Sequence, residues 1–312
     1  MKIVVIEPLG VETSLLEELA AGLSPKAELV CYDTRSEDTE ELIRRGADAD
    51  IIALANQQIS NYVIEGWKQA KLIAVAFTGV DHIPLEACRK KNITVCNCAG
   101  YSTAAVSDLV FGMLISLYRN LEACGKAVRA GNTRDGLIGF ELEGKNFGVI
   151  GTGAIGTRVL SIAQAFGCKT YAYSRTEKKI EGVTYTDLET LLSICDIVSV
   201  HVPLTNETRG MLNAENLRLM KPSAVLINTA RGPVVEAEAL TSCLNDCLIA
   251  GACIDVFDIE PPLSKDMPLL HAKNLIAAPH IGFATKEALV KRAKMVFENI
   301  QAFIDGTPKN VV

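Results

Sequence analysis

The sequence predicts an α/β protein built of two doubly wound parallel sheets, and three observations carry that expectation. Short apolar runs alternate with polar or helical stretches through the first third of the chain. The same alternation restarts at Phe147. The restart opens on FGVIGTGAIG, an apolar run that breaks into glycines at Gly151, Gly153 and Gly156 before a helical pattern resumes. Strands that alternate with helices pair in parallel, because each helix carries the chain back to the edge where the previous strand began.

Taken in order, the first runs are KIVVIE, ELVCY, DIIALA, KLIAVAF and ITVCNC. Leu15, Leu16, Leu19 and Leu23 mark an amphipathic helix between the first two, and a second helix is expected around 39–45. This domain ends near Cys98. One long helix is then expected from Ser102 to roughly Arg129, with Val106, Val110, Met113, Leu117 and Leu121 on one stripe. Residues 130–145 are polar and carry Gly131, Gly136, Gly139 and Gly144, which reads as an extended loop or arm. From Phe147 the strands are FGVI, KTYAYS, DIVSVHV, AVLINTA, LIAGACIDVF and NLIAAPH. A last helix, about 285–304, places Leu289, Val296, Ile300 and Phe303 on one face. With the second sheet complete, that helix is expected to return to the first domain and leave a cleft where ligands bind.

Length and composition narrow the function classes. A chain of 312 residues suits two α/β domains. A hydrophobic content of 49% with 22% charge reads as a soluble, aliphatic-rich globular protein. The net charge of −6 leaves no electrostatic footprint for nucleic acid. No stretch approaches the roughly 18 consecutive apolar residues of a membrane helix, and the run Ile3 to Ile6 is too short for a signal peptide. The ten cysteines form no CxxC pair and mostly sit in apolar runs, as Cys195 and Cys253 do, so buried thiols in a cytoplasmic protein are expected. Cys96 with Cys98, and Cys243 with Cys247, lack a completing ligand set, and no metal is expected.

The glycine-rich turn points to a dinucleotide. Gly151 permits the tight turn, Gly153 lets the backbone approach a pyrophosphate, and Gly156 allows close packing of helix on strand. The helix beginning near Ala154 and Ile155 turns its free N–H groups and positive dipole end toward the phosphates. In an open α/β sheet the reactive groups collect beyond the carboxyl ends of the strands. After AVLINTA comes Arg231; after LIAGACIDVF come Asp258 and Glu260; after NLIAAP comes His280. Each alone has an ordinary structural reading, as a surface ion pair, a solvated acid or a capping histidine. Together, beside a dinucleotide turn, they read as a reaction centre.

At these residues the chain resembles the D-specific 2-hydroxyacid dehydrogenases over essentially its whole length. The resemblance is carried by GTGAIG at 151–156, CDIVSVHVPLTNET at 195–208, MKPSAVLINTARG at 220–232, DVFDIEPP at 255–262 and APHIG at 278–282. It implies a Rossmann cofactor domain, residues 99–284, inserted in a flavodoxin-like substrate domain, residues 1–98 and 285–312. It also implies a homodimer made through the cofactor domains. Arg231 is implied to hold the substrate carboxylate and the reacting oxygen, His280 to be the acid/base, and Glu260 to pair with His280. A guanidinium fork orients an α-keto acid as lysine cannot, and a carboxylate beside histidine favours the protonated ring.

The family's backbone clamp for the substrate carboxylate matches FTGVDHI, at Thr78, Gly79 and Val80. His82 reads as a loop histidine near that clamp rather than a second base. The cofactor contacts implied are Thr103, Gly151, Gly153, Ala154, Ile155, Gly156, Ser174, Arg175, Thr176, His201, Val202, Pro203, Thr208, Thr229, Ala230, Asp255 and His280. The family's usual VAE is here Val106, Ser107 and Asp108, a departure with a shorter acid.

An acid about 20 residues after the first glycine marks an NAD enzyme. Here the place reads YAYSRTEKK, with Ser174, Arg175 and Thr176 where the acid belongs. Arg175 suits a 2′-phosphate, so NADP(H) is favoured over NAD(H); the alternative has Arg175 stacking on adenine and Glu177 reaching the ribose. Members acting on phosphorylated substrates carry arginine after the strand matching DIIALA, where this chain has Asn56, Gln57 and Gln58. A small 2-oxo acid such as glyoxylate or hydroxypyruvate is therefore expected. The alternatives are a larger 2-oxo acid or phosphoglycerate with NAD, or a dinucleotide-sensing scaffold without turnover.

Overall fold

A computed structural model of the protein describes residues 1–259 and 263–312. It divides into two compact units, Met1–Ser102 with Ala284–Val312, and Thr103–Phe283.

The first unit holds five parallel strands: β1 (Lys2–Val5), β2 (Glu28–Cys31), β3 (Ile51–Leu54), β4 (Leu72–Val75) and β5 (Thr94–Cys96), in the order β2-β1-β3-β4-β5. Every residue of β3 and β4 is buried, as expected of central strands with helices on both faces. The chain leaves β1 outward to β2 and then returns past β1 to β3, so the direction of winding reverses between β1 and β3. The last helix, Lys286–Ile304, packs against β4 and the helix Thr13–Ala21, burying Val296, Phe297 and Ile300. Its N-terminus is fixed by Thr285, whose hydroxyl accepts from the Ala288 amide at 3.1 Å.

The second unit holds seven parallel strands: β6 (Asn146–Ile150), β7 (Lys169–Tyr173), β8 (Val183–Tyr185), β9 (Ile197–Val200), β10 (Val225–Asn228), β11 (Gly251–Ile254) and β12 (Leu275–Ala277). Their order is β12-β11-β10-β9-β6-β7-β8, with the reversal between β6 and β9. This doubly wound arrangement fits the predicted fold class. The edge strand β8 lies outside the runs read from sequence; at three residues, two half-buried and one exposed, it carries too little apolar pattern to mark a strand.

The expected long helix is instead two, Thr103–Tyr118 and Leu121–Arg129, meeting at 56°. Asn120 causes the break: it sits at φ 51, ψ 38, and a left-handed residue cannot continue a right-handed helix. The arm supports the broken end, since the Phe140 amide donates to the Tyr118 carbonyl at 2.9 Å. No single helix among the described residues is long and apolar enough to cross a membrane.

Candidate active site

Because all seven strands of the second unit run in one direction, every segment that follows a strand emerges at the same edge of the sheet. That edge collects the glycine turn after β6, Ser174 to Thr176 after β7, and His201 to Thr208 after β9. It also collects Thr229 to Arg231 after β10, Asp255 after β11 and His280 after β12.

The glycine turn sits beside the reversal of winding. Gly151 adopts φ 97, and a Cβ there would stand 2.6 Å from the His201 carbonyl oxygen and 2.8 Å from Val202 Cγ1. The turn and the His201 loop can meet only over a glycine. At Gly156 a Cβ would overlap the Gly151 carbonyl, so the helix Ala154–Ala165 lies directly on the turn. Gly153 differs: a Cβ would meet nothing within 4 Å. It caps that helix without any side-chain hydrogen bond, and Gly153 and Ala154 are exposed while Gly151 and Gly156 are buried. The turn thus presents unsatisfied helix N–H groups across open space, as an anion site requires. Nearby, the buried hydroxyls of Thr152 and Thr229 find no hydrogen-bond partner among the described residues. A buried, unsatisfied hydroxyl at such an edge fits a polar ligand. The residues present therefore fit a dinucleotide.

The flanking loops are held from within. The Gly151 amide donates to the Tyr173 carbonyl at 2.8 Å, which places Ser174 beside the turn. Ser174 is half-buried; Arg175 and Thr176 are exposed. Across the turn, the Thr208 hydroxyl donates to the Pro203 carbonyl at 2.6 Å and accepts from the Thr205 amide at 2.8 Å, closing the His201 loop on itself. Glu207 accepts from Thr205 Oγ1 at 2.6 Å, and its carboxyl is held below the ordinary range by that bond first, with the charge of Arg175 adding a smaller contribution. His201 as a residue is half-buried, yet burial of its ring pushes the imidazole down to about 3, and Ser199 Oγ lies 2.8 Å from Nε2. A neutral ring is the state such a site holds at neutral pH.

Arg231 owes its place to Asn228, a residue whose role the sequence reading missed. Asn228 is 1% exposed; its amide group donates to the Arg231 carbonyl at 2.9 Å, and its oxygen accepts from the Ala230 amide at 3.0 Å. One buried side chain thus clamps both sides of the Ala230–Arg231 peptide. The signal lay in the motif itself, an asparagine closing an apolar strand just before the arginine. The guanidinium donates from Nη1 to the Ala230 carbonyl at 2.8 Å.

His280 stands at φ 55, in the left-handed region that few non-glycine residues occupy. Its amide donates to the Asp255 carbonyl at 2.7 Å. The Asp255 carboxylate, 1% exposed, accepts from the amides of Ile281 and Gly282, each at 2.8 Å. Asp255, expected among the cofactor contacts, also mounts the His280 turn through these bonds. The imidazole is half-buried and meets Phe283 edge-on, with ring centroids 5.7 Å apart. Glu260, its expected partner, lies outside the described residues. Thr103 begins its helix and accepts from Ser107 Oγ at 2.6 Å. The departure from VAE thus becomes legible: Ser107 is buried in a helix-internal bond, and Asp108 points to solvent 4.0 Å from Arg158.

In the first unit, Thr78, Gly79 and Val80 follow β4 and are exposed or half-exposed. The Thr78 carbonyl accepts from Asn97 Nδ2 at 2.7 Å, and the Val80 carbonyl from the Ile83 amide at 2.9 Å. Both bonds use carbonyls and leave the segment's amides for other partners. The His82 carbonyl accepts from the Ile59 amide at 3.0 Å, tying this loop to the one after β3.

Similarity to known proteins agrees with this geometry. The family model for the D-isomer specific 2-hydroxyacid dehydrogenase NAD binding domain matches residues 111–282. A glyoxylate reductase from Thermococcus litoralis is 39% identical, covering 86% of this chain and 84% of its own. A hydroxypyruvate reductase from Blautia hydrogenotrophica is 34% identical, covering 100% of this chain and 99% of its own. Among solved structures, an acyclic imino acid reductase in complex with NADPH and D-Arg superposes with a TM-score of 0.91 at 30% identity over all of both chains. The strand-end chemistry, the glycine turn and these matches together place the chain in the family of D-isomer specific 2-hydroxyacid dehydrogenases, NAD(P)-dependent oxidoreductases.

Proposed function

We propose that the protein reduces a small 2-oxo acid, glyoxylate or hydroxypyruvate, to the D-2-hydroxy acid, with NADPH favoured over NADH. The observation that carries the reaction is the mounting of His280 in a left-handed turn on the same strand edge as Arg231 and the glycine turn. When bound, the reduced nicotinamide supplies a hydride to the 2-oxo carbon. The chain's own part is to bind, orient and deliver a proton. Gly151 to Gly156 hold the pyrophosphate, and Ser174, Arg175 and Thr176 take the 2′-phosphate. Arg231 holds the carboxylate and polarises the keto oxygen, and the His280 imidazolium gives that oxygen its proton. Thr78, Gly79 and Val80 bind the carboxylate through backbone amides. The names of the two relatives above support the choice of acid.

The test is oxidation of NADPH and of NADH against a panel of 2-oxo acids. The highest kcat/KM is expected with glyoxylate or hydroxypyruvate and NADPH. A preference for NADH would overturn the cofactor reading, and turnover confined to larger acids would overturn the substrate. We also infer a homodimer made through the second unit. Its helix Leu121–Arg129 and the following arm leave Val128, Ile138 and Phe140 at 74%, 87% and 63% exposure, apolar side chains that a second copy would cover. Light scattering at the mass of one chain would overturn that inference.

A further inference from the structure

The reversal of winding in the first unit falls between β1 and β3, and a buried acid occupies it. Glu7, 1% exposed, follows β1. Its Oε1 accepts from the amides of Ala55 at 2.8 Å and Gln57 at 2.7 Å, so the acid fixes the loop after β3. Its Oε2 lies 3.3 Å from Nε of Arg35, which arrives from the segment after β2. Arg35 Nη2 reaches the Asn56 carbonyl at 3.4 Å. The loop that lacks an arginine in sequence therefore has one laid against it in space. The clamp segment after β4 is one strand away, a spacing of about 4.8 Å, and the Ile59–His82 bond joins the two loops directly. Arg35 and the clamp segment therefore stand at neighbouring loops of one sheet edge.

The charge on this wall is the informative quantity. Arg35 side-chain atoms are 53% exposed and offer donors to a ligand, but Glu7 lies against the guanidinium, so the pair sums to zero. A hydroxyl gains hydrogen bonds there, whereas a second anion meets an arginine already neutralised and a carboxylate behind it. We propose that Glu7 is a specificity-determining residue that masks Arg35 and thereby excludes 2-oxo acids bearing a second anionic group. This rests on the reading of Thr78–Val80 as the carboxylate clamp.

The experiment compares kcat/KM for 3-phosphohydroxypyruvate with that for hydroxypyruvate, at fixed ionic strength. In the native protein the ratio lies below one. Glu7→Gln, which keeps an amide acceptor but removes the charge, raises the ratio about tenfold, and adding Arg35→Ala to it abolishes the gain. Arg35→Ala alone exposes the Glu7 charge and lowers the ratio. An unchanged or lowered ratio in Glu7→Gln, or a gain that survives loss of Arg35, overturns the proposal. Should Glu7→Gln fail to fold, the exposed Arg35→Ala decides: a ratio unchanged or raised overturns the proposal. If the native protein reduces neither hydroxypyruvate nor glyoxylate, the proposed function fails separately. The mask is then read from oxaloacetate against pyruvate, which differ by a carboxylate on the third carbon.

Discussion

The two units wind by the same rule and treat the point of reversal in opposite ways. In the second unit the reversal between β6 and β9 is emptied by glycines: Gly153 faces open space and the helix behind it has no side-chain cap. In the first unit the reversal between β1 and β3 is filled by the Glu7 carboxylate, which takes the amides that would otherwise face an anion. A parallel sheet creates an amide-rich crevice at such a point as a matter of geometry. Whether the crevice binds a ligand's anion or the chain's own is decided by one or two side chains.

The largest expected effect falls on the proposed proton donor of the open unit. His280→Ala should lower kcat by ~10²–10⁴ while NADPH affinity stays near native, as stopped-flow turnover and fluorescence titration would show; near-normal turnover would remove His280 from the chemistry. Next is the charge that the open crevice presents beyond its glycines. Arg175→Ala should shift the NADPH to NADH ratio of kcat/KM toward NADH by roughly 10- to 100-fold, and an unmoved ratio would assign the 2′-phosphate elsewhere. Asn228→Ala unclamps the peptide before Arg231 and should raise KM for the 2-oxo acid with a loss of about 1–3 kcal/mol of stability. Unchanged KM with lost stability would reduce Asn228 to a purely structural tie.

The smallest effect concerns His201, whose ring is buried with Ser199 Oγ 2.8 Å from Nε2. Its folded pKa, about 3, lies below the ordinary 6.5, so between those values the unfolded chain binds more protons and stability rises with pH. The stabilisation is fully present above 6.5 and is lost progressively on acidification toward 3. The slope cannot exceed about 1.4 kcal/mol per pH unit, and partial exposure of the residue makes it smaller. Urea unfolding at pH 7, 5.5 and 4 should show this slope in the native protein and its loss in His201→Gln. Identical slopes would show that other groups set the acid sensitivity.

Much of this was legible in sequence where one residue type serves one local purpose. The glycines of the turn, the apolar strands and the capped last helix each follow from short-range rules, and all five strands of the first sheet were marked by their apolar runs. The pattern failed where the deciding contact is remote or the segment is short. β8 is three residues at a sheet edge. The break at Asn120 depends on one left-handed residue that an apolar stripe conceals. Arg35 shows the same limit more sharply. Reading the loop after β3 alone finds only amides, because the arginine that serves it comes from the end of β2 and crosses β1 to reach Asn56. The bonds from the Ile281 and Gly282 amides to Asp255 are remote in the same way, since they depend on the pairing of β11 with β12.

The Asp255 mount has a further consequence. The turn that carries His280 is fastened to β11, and the glycine turn opens from β6, three strands along the same hydrogen-bonded ladder. The spacing between the His280 turn and the glycine turn is therefore a dimension of the sheet itself, set by strand pairing rather than by loop conformation. Surface loops and covering helices can drift in sequence without disturbing that dimension. A variant that slipped the β11–β12 register by one residue would lose the alignment at once, however well its individual side chains were preserved.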